Sequence, residues 1–168
     1  MKKIIKTAVL FVFLVFWGDV FGQEYLGGKK TDIASFFKLK KIQYEEEKID
    51  KDYSRFSINS HYDDGSLKNV SLLTFKNQGG QTVCIKEAMV FGYSTEFYRE
   101  TLQFRYDQGF KATNYLDSDG FLVMQHNFGP ENKRVLYCVV SSYDQDNDGK
   151  DDIVVETFYL DTSEFKTK

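Results

Sequence analysis

From residue 55 onward, short clusters of aspartate, asparagine and glycine cut the chain at close and even intervals. Between the cuts, apolar and polar residues alternate. Asp63-Asp64-Gly65-Ser66, Asn77-Gln78-Gly79-Gly80, Asp107-Gln108-Gly109, Asp117-Ser118-Asp119-Gly120 and the 129–133 segment each read as a turn. A period of two sends successive side chains to opposite faces of a strand, and turns this tight send each strand back beside the last. Arg55 to His61 sets the pattern, with Phe56, Ile58 and Ser60 on one parity and Ser57, Asn59 and His61 on the other. Leu67–Phe75, Thr82–Phe91, Phe110–Tyr115, Phe121–Phe128, Arg134–Tyr143 and Ile153–Leu160 follow as strands. Residues 94–108 carry two signals. Ser94 and Gly109 suit the start and stop of a helix, but Leu102-Gln103-Phe104-Arg105-Tyr106 alternates, and the expectation is a strand. The result is an all-β, antiparallel meander of about eight strands, arranged as a sandwich or an up-and-down barrel. Aromatic residues at 17% and a single proline suit such a sheet. One short helix is expected near the N-terminus, capped by Asp32 with Ile33, Phe36 and Phe37 on one face, unless that stretch merges into a strand running to Tyr44. Glu45-Glu46-Glu47 reads as a solvated edge.

Between the last two long strands lies Asp144-Gln145-Asp146-Asn147-Asp148-Gly149-Lys150-Asp151-Asp152. Calcium takes six to eight oxygens, and in a calcium loop of this kind they come from positions 1, 3, 5, 7 and 9, with glycine at 6 for the sharp turn. Asp144, Asp146 and Asp148 occupy 1, 3 and 5, Lys150 offers a backbone carbonyl from 7, and Asp152 occupies 9. Position 12 is Val155, and the flanks are β-branched and aromatic, so this is a strand-loop-strand site and not an EF-hand. The pattern Asp-x-Asp-x-Asp-Gly-x-x-Asp followed by Ile-Val-Val resembles the calcium loop of FG-GAP and VCBS-type repeats. The resemblance covers about twenty residues, with no second copy of the loop. It implies calcium held by Asp144, Asp146, Asp148 and Asp152. The alternative is a solvated acidic turn.

At the N-terminus, Lys2, Lys3 and Lys6 precede a ten-residue apolar core, Ala8 to Trp17, and Val20 and Gly22 stand at −3 and −1 of a cut before Gln23. This is the layout of a secretory signal peptide, and the apolar core is too short for a membrane span. The expected organisation is a signal peptide over 1–22, a flexible leader over 23–30 and a single β-domain over 31–168, with a periplasmic or secreted destination. Losing residues 1–22 removes three lysines and one aspartate and takes the net charge from −3 to −5. That balance disfavours nucleic acid as a partner, and nothing after the apolar core favours stable membrane insertion.

Cys84 and Cys138 are the only cysteines. Export permits a disulfide between them, closing a loop of about 55 residues and worth ~4 kcal/mol through lost chain entropy. Each also lies in an apolar run, where a buried thiol is equally at home. The compartment favours the bond. His61 and His126 are the only bases suited to neutral pH, and no nucleophile elbow, phosphate loop or dinucleotide fingerprint accompanies them. The chain therefore reads as a non-enzymatic exported β-domain with calcium as a structural cofactor and an unidentified protein or glycan partner. Two further readings are a glycan module using Tyr98, Phe104, Tyr106, Phe110 and Tyr115 as a stacking strip, and a barrel enclosing a small apolar ligand. A glycoside hydrolase is the least favoured, since paired carboxylates are too common here to carry information.

Overall fold

The computed structural model describes residues 25–128, 131 and 134–168. The expected signal peptide, with its cut before Gln23, lies outside the described residues, as does the 129–133 turn apart from Glu131. Among the described residues the elements run α1 (Lys30–Lys40), β1 (Glu45–Lys48), β2 (Tyr53–His61), β3 (Leu67–Gln78), β4 (Gln81–Gly92) and α2 (Thr95–Asp107). They continue with β5 (Lys111–Leu116), β6 (Leu122–Phe128), β7 (Arg134–Tyr143), β8 (Ile153–Tyr159) and β9 (Lys166–Thr167). The strands make one antiparallel sheet in the order β1-β2-β3-β4-β8-β7-β6-β5-β9. The fold is thus mostly antiparallel β with short helices, as the alternation implies. It is a single open sheet with edges at β1 and β9.

Pairing fixes which side chains share a face. Phe56, Leu73, Glu87, Phe158, Cys138 and Met124 are consecutive cross-strand partners, a single row running from β2 to β6. Both helices lie on the side of this row. Ile33 and Phe37 of α1 close over Phe56, Leu73, Phe75 and Cys84. Phe97, Tyr98 and Leu102 of α2 close over Met124, Leu136, Cys138, Val140, Val154 and Phe158. Phe37, Phe56 and Phe75 are fully buried, and each such side chain contributes about 2 kcal/mol by leaving water. The opposite face is covered at one end by Phe165, which packs on Tyr115, Tyr137 and Tyr159.

Residues 95–107 are a helix, which corrects the strand expected at 102–106. Ser94 Oγ accepts the Phe97 amide at 3.0 Å, and Gly109 at φ +87° ends the run. The inward stripe is Phe97, Tyr98, Leu102 and Arg105, all within one helical face. Phe104 and Tyr106, which made the stretch alternate, lie on its flanks and are exposed. A charged residue occupies the stripe position that an apolar one would have marked.

The leader expected to be flexible is held wherever it is described. Gly27 N–H donates to Cys84 O at 2.8 Å, Cys84 N–H donates to Gly28 O at 2.9 Å, and Lys29 bridges to Val83. Strand β8 ends opposite Lys86, so this segment takes up backbone groups that β4 would otherwise leave unpaired. Helix α1 begins at Lys30, and Asp32 lies in its first turn and does not cap it.

Cys84 and Cys138 are free, buried thiols and not a disulfide. Strand β8 separates β4 from β7, so the two cysteines stand two strand spacings apart, about 9–10 Å before any offset along the strands. A disulfide needs Cα atoms within about 7 Å. One thiol lies in the core beneath each helix.

Candidate metal centre

The 144–152 loop joins β7 to β8, and Tyr143 and Ile153 are the last paired residues on either side. Its chain must reverse twice, with Asn147 at φ 62° and Gly149 at φ 88°. Asparagine tolerates that region, and glycine enters it without strain. A Cβ at Gly149 would meet nothing within 4 Å, so the requirement is backbone conformation and not space. The loop is fastened to the fold at its end: Asp152 N–H donates to Tyr143 O, and Asp152 O accepts Tyr93 N–H, both at 2.8 Å. Tyr93 lies just ahead of α2, so the loop also holds the start of that helix.

Inside the loop, carboxylates accept from backbone amides. Asp144 takes Gly149 N–H at 2.7 Å on Oδ2 and Asp148 N–H at 3.2 Å on Oδ1. Asp146 Oδ1 shares the Asp148 amide at 3.1 Å, and Asp152 Oδ2 takes Gln145 N–H at 2.8 Å. These bonds aim the side chains inward. Asp144, Asp146 and Asp152 each bring a carboxylate oxygen within 4.8 Å of the others. Asp148 is not in that group, and its Oδ1 accepts the Lys150 amide at 2.9 Å. Asp151 turns away and accepts from Ser142 Oγ. Among the described residues no lysine or arginine, Lys150 included, forms an ion pair with any of the five aspartates. Three convergent hard oxygens without a counter-charge suit an oxygen-seeking cation.

The glycan strip does not assemble. Tyr98, Phe104 and Tyr106 stand on α2, Phe110 is buried in the core beneath that helix, and Tyr115 packs under Phe165 on the opposite face. The histidines stand apart: His61 is exposed at the end of β2, and His126 stacks on Phe110 at 5.2 Å between centroids.

The second charged constellation was not visible to sequence reasoning. Arg105 and Glu156 are 2% and 3% exposed, and they meet as a two-pronged ion pair, with Nε donating to Oε1 and Nη2 donating to Oε2 at 2.7 Å. Arg105 Nη1 also donates to Gln108 Oε1, and the guanidinium lies 4.8 Å from the Phe158 ring centroid. Burial opposes the charge on Arg105, but the hydrogen bonds and charge of Glu156 outweigh it and hold the guanidinium above its ordinary pKa. The usable signal was parity: Val154, Glu156 and Phe158 share a face of a strand whose other members there are apolar.

Comparison of the chain with family models, characterised proteins and solved structures finds no match. The fold and site therefore define the class on their own terms: an open antiparallel sheet with helices on one face and an acidic loop closing a hairpin.

Proposed function

We propose that this chain is an exported, non-enzymatic β-domain in which the 144–152 loop holds one calcium ion as a structural brace, and that the domain serves as an extracellular binding module. The observation that carries the reading is the convergence of Asp144, Asp146 and Asp152 within 4.8 Å with no basic partner among the described residues. Asp148 would complete the set by rotating off the Lys150 amide, and Lys150 would add its carbonyl. The basic segment and short apolar core at the N-terminus support export, into surroundings where calcium modules work at affinities of roughly 10⁻⁴–10⁻³ M. The ion would relieve repulsion among five aspartates and stiffen the link from β8 to the start of α2. At millimolar calcium a site of that affinity stabilises the fold by roughly 1 kcal/mol. Melting temperature with and without calcium tests the reading. Wild type should rise by a few degrees, and Asp146→Ala should lose the rise. Asp119→Ala, in the turn before β6, should keep it. Magnesium should do little, because it demands a tighter octahedron and dehydrates reluctantly. An unchanged melting temperature would reduce the loop to an acidic turn.

A further inference from the structure

We infer that the cleft between α2 and strands β3, β4 and β8 binds a small, uncharged aromatic molecule. The inference adds a ligand to the binding-module reading and does not depend on the calcium loop. The cleft encloses about 370 Å³, within the range of about 300–1,000 Å³ typical of small-molecule sites. Its position follows from the seam between the two cores. Leu26 packs against both cores and fills the seam at one end. At the other, where β3 carries Asn69 and β4 carries Phe91, neither helix covers the sheet and the cleft opens.

The lining selects the ligand. Met89, Phe91, Phe97 and Phe104 form apolar walls, with the Phe91 and Phe97 rings tilted at 57° and 5.2 Å apart. Such rings hold another aromatic ring by its face or edge, and the methionine thioether adapts to its outline. Phe104 is 50% exposed and carries the Arg105 guanidinium 5.1 Å from its ring centroid, which leaves ring surface open to the cleft. The Thr101 hydroxyl spends its proton on Phe97 O at 2.8 Å and can offer the cleft only an acceptor.

Charge selects as sharply. The Arg105–Glu156 pair forms part of the lining, and its two charges cancel, while Lys68 and Glu100 supply one of each sign. Lys68 and Glu100 are exposed and solvated, and the lining carries no net charge. A charged ligand would trade its hydration for at most a screened surface pair, which favours a neutral one. Asn69 supplies an uncharged polar handle. Its amide oxygen is buried without a hydrogen-bond partner among the described residues, and a small rotation would offer it to a ligand N–H.

Indole, flat and neutral with one N–H, is the probe. Titration into the ¹⁵N-labelled full chain should move amide signals of the cleft residues and leave β1, β9 and α1 unmoved. Phe104→Ala should weaken binding about tenfold, the order of one lost aromatic contact. Thr101→Trp, which fills the cleft, should abolish it, and Leu39→Ala on α1 should change nothing. Indole-3-acetate should bind at least about tenfold more weakly than indole, because its carboxylate gives up hydration for no more than the exposed, screened Lys68. Running the titration in EGTA separates the result from any outcome at the aspartate loop. Absence of shifts up to the solubility limit, indifference to Phe104→Ala and Thr101→Trp, or equal binding of indole-3-acetate would each overturn the inference.

Discussion

The sheet has two halves built in the same order, a helix followed by four antiparallel strands, and they meet through their last strands, β4 and β8. The core beneath α1 is apolar and aromatic at its centre, with Phe37, Phe56 and Phe75 packed together and Tyr44 stacked at its side, and the buried Glu87 borders it next to Leu73. The core beneath α2 contains a buried ion pair and is flanked by an open cleft. The hairpin joining the third and fourth strands differs as well. In the first half Gly79 and Gly80 close it, both at positive φ. In the second half the nine residues 144–152 stand at the same place. Two residues suffice to close the β3–β4 hairpin, so the nine-residue acidic loop exceeds what folding asks of that junction. The pair and the cleft likewise exceed what a core asks. The first half shows what the architecture requires, and the second carries what was added to it.

The largest effect should come from the ion pair. Glu156→Ala leaves Arg105 charged in the core without its partner and should cost about 3–5 kcal/mol, read from urea unfolding. Replacing both members, Arg105→Met with Glu156→Leu, should recover most of that loss, since an apolar pair of similar volume avoids the desolvation. In the first half Leu73→Ala should cost about 2–5 kcal/mol through a cavity alone. A Glu156→Ala loss below about 1 kcal/mol would erase this contrast between the halves.

The thiols sample both cores. Burial pushes Cys84 up to about 12 and holds Cys138 well above the ordinary thiol range. Neither should react with a thiol reagent in the native protein near neutral pH. Denatured and unreduced, the chain should show two thiols, whereas none would mean a disulfide after all. The unfolded chain loses these protons first, from about pH 8.5. Stability should therefore be independent of the thiols below that value and fall as pH rises toward the folded pKa values. Cys84→Ser should flatten the alkaline slope of the urea midpoint.

A smaller effect tests the hairpins themselves. Replacing 144–152 with Gly-Gly, as at β3–β4, shortens the closure by about two doublings and changes stability by only about 1 kcal/mol without calcium. Circular dichroism should still report the native sheet, and loss of the sheet would make the loop part of the fold.

Much of the first half was legible from residues 55–92, because strands with one wet face alternate and their turns use glycine at positive φ. The convergence of Asp144, Asp146 and Asp152 was legible for the same local reason, their spacing being set by the backbone between neighbours, whereas Asp148 stands outside that group. What escaped depends on distant parts of the chain. Arg105 broke the helical stripe of α2, and only its pairing with Glu156, 51 residues away, explains its burial. The cysteine pairing failed because β8 returns between β4 and β7, an order that no local pattern encodes. Strands β1 and β9 are short edges whose residues are all exposed, so no apolar alternation announced them.

The central claim is that the second half's long hairpin loop is a calcium site, and calorimetric titration of calcium into the purified chain tests it most directly. One ion per chain should bind, with a dissociation constant at or below roughly 10⁻³ M. The heat should vanish in Asp146→Ala and persist in Asp119→Ala. No heat from wild type at millimolar calcium, or an equal response to magnesium, would contradict the account.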